Sequence, residues 1–144
     1  MEVLYNRKDD QYWCEEKYNG QKYVMCFEGD DNATGDVAYF NVSMNVVNKR
    51  KTVWEENEVP TSTGKNIMHT YGFAKRAFES LMAEIEREEL PDYKKVIVEV
   101  HWLDNRRCNV YEKFLKKYGF SYGVSVDNGK KCLHKILYRE KSND

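Results

Sequence analysis

Residues 69–91 read HTYGFAKRAFESLMAEIEREELP. Ala74, Phe78, Leu81, Met82 and Ile85 recur there at helical spacing, the stripe of an amphipathic helix. Lys75, Arg76, Glu79, Glu84, Glu86 and Arg87 fall between them and face water. The pattern predicts a helix from about Gly72 to Glu89, stopped by Pro91. Residues 69–74 then open that helix. Backbone N–H groups at a helix start are unpaired and carry the positive end of the helix dipole, a natural seat for a diphosphate. Gly72 lets the backbone approach such a group, and the small Ala74 leaves it room.

Upstream, the chain reads as sheet. Residues 11–18 and 21–28 flank Asn19-Gly20, which favours a type I′ hairpin turn. Asp30, Asp31, Asn32 and Gly35 mark a loop. From Val37 to Val47 the pattern alternates, with Ala38, Phe40, Val42, Met44 and Val46 on the core side. A polar turn at 48–51 and a return strand at 52–59 follow. Pro60 and the TSTGKN stretch (61–66) lead to the helix.

Downstream, residues 95–102 (KVIVEVHW) suit a central strand buried on both faces. Asp104 can cap a second helix reaching Tyr118, with Val110, Tyr111, Phe114, Leu115 and Tyr118 inward and Gly119 ending it. Residues 120–126 and 131–139 are strands around Asp127-Asn128-Gly129. The order is several antiparallel strands, helix, strand, helix, two strands. It predicts one α/β (α+β) domain over residues 1–144, with a parallel strand–helix–strand crossover in a mixed, mostly antiparallel sheet.

The chain has 144 residues, enough for one core without staples. Hydrophobic residues make up 41% and aromatics 14%, as in a folded globule. A net charge of −1 gives no pull toward nucleic acid or an anionic membrane. That balance also counts against base stacking by its 11 tyrosines. No apolar run spans a bilayer, and MEVLYNRKDD lacks the apolar stretch of a secretory leader. Cys14, Cys26, Cys108 and Cys132 form no CxxC pair, so they read as reduced thiols in a cytoplasmic protein, and no residue is assigned to a metal.

GCN5-related N-acetyltransferases carry Gln/Arg-x-x-Gly-x-Gly/Ala at the start of their main helix, and residues 69–74 (His-x-x-Gly-x-Ala) resemble it. Asn105 resembles the family's Asn-x-x-Ala, Tyr111 its helix tyrosine, and Gly119-Phe120 its Gly-Phe. The resemblance covers roughly residues 35–139 and the order of elements. It implies that fold, and acetyl-CoA as co-substrate, held by His69, Thr70, Tyr71, Gly72, Phe73, Ala74 and Asn105. It implies direct transfer of the acetyl group to a primary amine of a small molecule or a protein, and proteins of this kind often pair as homodimers.

The chain departs from the family at His69, which stands for Gln or Arg. A second register puts Gly64-Lys65-Asn66 on the phosphate loop. It is set aside because residues 67–69 would have to start the helix, with Asn66 and Met68 at small-residue positions. The second helix is about one turn longer than usual, so the tyrosine maps to Tyr111 or onto Leu115, and Tyr111 is preferred. The hairpin at Asn19-Gly20 leaves no room for the helices that wall the acceptor site in the family.

The implied chemistry needs a base for the amine, because only a neutral amine attacks. Glu55, Glu56 and Glu58 precede the loop, and alternation puts Glu56 and Glu58 on one face. Glu56 or Glu58 is the expected base, and Tyr111 the acid for the departing thiolate. His69 can equally bond its own backbone, the tyrosines can be packing residues, and the glutamates solvated charges. His101-Trp102 ends the central strand, where ligand sites gather in open sheets. The rival reading is a catalytically inactive protein of this fold that binds or inhibits another macromolecule.

Overall fold

The computed structural model describes residues 1–30, 35–48, 67–101, 112–125 and 129–139. Its strands are β1 (Leu4–Asn6), β2 (Gln11–Tyr18), β3 (Gln21–Gly29), β4 (Val37–Asn48), β5 (Lys95–Val100), β6 (Ser121–Val124) and β7 (Lys131–Tyr138). Helix α1 spans Ile67–Glu88, and the described part of α2 covers residues 112–117. The sheet runs β1-β2-β3-β4-β5-β7-β6. Among these neighbours only β4 and β5 are parallel.

Turn chemistry and alternation explain most of this layout. Asn19 (φ 49°) and Gly20 (φ 80°) take the left-handed values of a type I′ turn, pairing Tyr18 with Gln21. Gly119 (φ 90°) ends α2, and the chain turns into β6. On β4, Ala38, Phe40, Val42 and Val46 are buried and Met44 packs beside them, as alternation predicts. On β5, Val96, Ile97, Val98 and Glu99 are all buried, because β4 and β7 flank the strand. Strand β1 carries no pattern of its own. A tight turn at residues 7–10 brings it back onto β2, with Leu4 opposite Trp13.

The core lies between α1 and one sheet face. Phe73, Ala74, Ala77, Phe78, Leu81 and Ile85 of α1 are buried against β2 and β3, in one core with the inward residues of β4. Phe78 is its hub, with ring centroids 5.8 Å from Phe27, 5.4 Å from Phe114, 5.7 Å from Tyr118 and 5.4 Å from Phe120. The opposite face is also partly buried, at Val24, Cys26, Ile97, Glu99 and Cys132.

The helix start is a correction. Helix α1 begins at Ile67, more than a turn before the expected start near Gly72. An interior glycine costs a helix about 1 kcal/mol. Burial of Thr70 and Phe73 and the contacts of His69 outweigh it. The helix ends at Glu88, before Pro91, as expected. The return strand at 52–59 and the start of the second helix lie outside the described residues. Cys14, Cys26 and Cys132 are buried free thiols, and burial pushes them up to about 11, 12 and 11. Among the described residues no helix is long and apolar enough to cross a membrane.

Candidate functional site

Strands β4 and β5 pair from Val37↔Lys95 to Val42↔Val100. Strand β5 ends there, whereas β4 continues to Asn48, paired through Gln21 with β3. Among the described residues, the β5-side backbone edge of residues 43–48 therefore has no strand partner. Helix α1 starts at the same end of the sheet, where His69 meets Tyr18 and Tyr23 of the β2–β3 hairpin. The carboxyl ends of parallel strands are where open α/β sheets receive ligands.

Residues 69–74 occupy the first two turns of α1 rather than a loop before it. The His69 ring stacks on Tyr18 at 3.7 Å and 7°, and meets Tyr23 edge-on at 4.9 Å. Its Nε2 is 2.9 Å from Glu16 Oε2, close enough to attract when charged but not aligned as a hydrogen bond. Arg76 donates two 2.9 Å hydrogen bonds to Glu16. These bonds hold the Glu16 carboxyl below its ordinary value, against partial desolvation. The His69 side chain is thus turned to the sheet.

Thr70, Phe73 and Ala74 are buried, and Tyr71 lies edge-on to Phe114 at 6.2 Å. A helix that includes Ile67 commits the N–H groups from Gly72 to Ala74 to its own backbone. The expected cradle at Gly72 and Ala74 is therefore corrected, because their N–H groups are internal. One part of the objection to the Gly64-Lys65-Asn66 register is answered, since residues 67–69 are helical, while Asn66 and Met68 still stand at its small-residue positions. Residues 64–66, Glu56, Glu58, Asn105 and Tyr111 lie outside the described residues.

A second cluster was not legible in the sequence. Glu99 is only 2% exposed, an acid inside the apolar run KVIVEV. Its Oε2 accepts a hydrogen bond from Ser125 Oγ at 3.0 Å and lies 3.2 Å from His101 Nε2. Cys132 of β7 offers a thiol to the same place. Burial first, and the Glu99 charge second, push that thiol up to about 11. The usable signal was an acid in a buried strand with a histidine two residues on, on the same face. Such a set can relay a proton or hold a metal ion.

No protein-family model, curated protein or solved structure matches the chain.

Proposed function

We propose that this chain is an N-acyltransferase of the GCN5-related fold, using acetyl-CoA to acylate a primary amine. The observation that carries the reading is the edge of β4 at residues 43–48, which has no strand partner among the described residues and lies beside the first turns of α1. An extended ligand bearing amides pairs with an open strand edge through main-chain hydrogen bonds. The pantetheine arm of CoA has such amides, and its diphosphate suits the unpaired N–H groups of a helix start. The backbone of residues 43–48 and the first turn of α1, from Ile67, would hold the co-substrate. Strand order and the parallel β4–β5 pair support the same reading.

In the reaction, the amine nitrogen attacks the thioester carbonyl carbon, the carbon–sulfur bond breaks, and the CoA thiolate takes a proton. Glu56 or Glu58 is the proposed base, and Tyr111 the proposed acid. The buried free thiols fit a reducing cytoplasm.

Acetyl-CoA should raise the melting temperature of the full chain and release free thiol when the right amine is supplied. No stabilisation at about 1 mM acetyl-CoA would overturn the reading. Gly64→Glu should abolish the shift and Gly72→Glu should retain it; the reverse would return the seat to residues 69–74.

A second reading is favoured by the tight turn at residues 7–10, where the family has acceptor-walling helices between its first strands. It is a binding protein that has lost turnover. It predicts a stable macromolecular complex and no thiol release with any amine.

A further inference from the structure

We propose that Glu99, His101 and Cys132 form a binding site for one divalent ion of the zinc class. The three residues lie on the face of the sheet turned away from α1. Glu99 and His101 are two apart on one strand direction, so their side chains share that face. The β5–β7 register pairs Val100 with Leu133, and continuing it by one residue sets His101 opposite Cys132. Cross-strand neighbours have Cβ atoms about 4.5–5.5 Å apart, within reach of one ion.

The distances suit such an ion. Zinc bonds of about 2.0–2.3 Å in a tetrahedron place ligand atoms about 3.3–3.8 Å apart. His101 Nε2 and Glu99 Oε2 are 3.2 Å apart, and one ligand atom from each of the three residues falls within 4.8 Å of the others. His134, opposite Glu99, lies with its ring over Gly123.

The donor chemistry is equally specific. A thiolate, an imidazole and a carboxylate form the mixed N, O, S set that borderline divalent ions prefer. The ion displaces the Cys132 proton, forms a metal–sulfur bond, and releases that proton to solvent. Two ligand anions and a dication then sum to zero, so the buried site carries no net charge when loaded. The Ser125 hydroxyl donates to Glu99 Oε2, the oxygen that faces His101, and so fixes the carboxylate's orientation as outer-shell donors do for metal-ligating carboxylates. The His101 side chain is 31% exposed, which leaves an entry path and an open position for water.

The test is a titration of the reduced, chelator-treated full chain with zinc and with cobalt(II). Zinc should bind at about one ion per chain with proton release. Cobalt should give a thiolate charge-transfer band that Cys132→Ser removes. His101→Ala should weaken zinc binding by at least about 10-fold, and Ser125→Ala by about 10-fold. The absence of saturable binding at about 100 μM free zinc would overturn the proposal. So would a cobalt–thiolate band that persists in Cys132→Ser. If Cys132→Ser fails to fold, the partly exposed His101→Ala decides, with circular dichroism as its folding control. Unchanged zinc affinity in a folded His101→Ala chain would overturn the proposal.

Discussion

The imidazole of His69 lies flat on the phenol ring of Tyr18, with 3.7 Å between centroids and 7° between planes. Tyr23 closes on its edge, and Glu16 lies at 2.9 Å. This contact ties the first turn of α1 to the β2–β3 hairpin. His69→Ala should therefore cost about 1–2 kcal/mol in urea unfolding. A tenfold loss of acetyl-CoA affinity without loss of stability would put the ring at the ligand instead.

Gly72 sits inside α1, and a Cβ built there meets nothing within 4 Å. Gly72→Ala should stabilise the protein by about 0.5–1 kcal/mol, because alanine is the better helix former and no neighbour must move. Thermal unfolding of the variant reads this directly. Destabilisation would mean that the position needs the missing side chain.

Phe78 joins α1 to Phe27 of β3, to Phe114 of α2 and to Phe120 before β6. Phe78→Ala should cost about 3–5 kcal/mol, much of a small domain's total stability. The expected result in a denaturant titration is a large fall in midpoint. A cost below about 1 kcal/mol would mean that these elements do not share one core.

Glu16 and Glu89 should shift acid stability in opposite directions. The Arg76 hydrogen bonds hold Glu16 below its unfolded value, so its contribution is present above that value and is lost as pH falls through the folded one. Burial raises Glu89, and the 2.7 Å hydrogen bond donated by Tyr12 offsets this only in part. Its ionised form is thus penalised in the fold, and the penalty fades as pH falls through the folded value toward the unfolded one. Glu16→Gln should be less stable than the parent at pH 7, and Glu89→Gln at least as stable. Both differences should shrink below about pH 4 in a pH series of unfolding curves.

Much of the sheet was legible because its signals are local. Asn19-Gly20 specified its hairpin through two left-handed residues, and alternation from Ala38 to Val46 named the face that meets α1. Strand β1 was not legible, since three residues hold no period and only pairing with β2 defines them. The start of α1 at Ile67 was not legible, because a glycine at 72 reads locally as a helix opening. The His69 contacts and the burial of Thr70 and Phe73 outweigh that propensity.

The sequence by itself determined the order of elements, the inward faces of β4 and α1, and the hairpin turns, because period and turn chemistry act over a few neighbouring residues. Only the tertiary structure decided that α1 takes in residues 67–71 upstream of Gly72, that β4 outruns β5, and that Glu99 and His101 meet Ser125 and Cys132. Those facts follow from strand register and helix packing. Both join residues far apart in the chain, and no local pattern encodes such contacts.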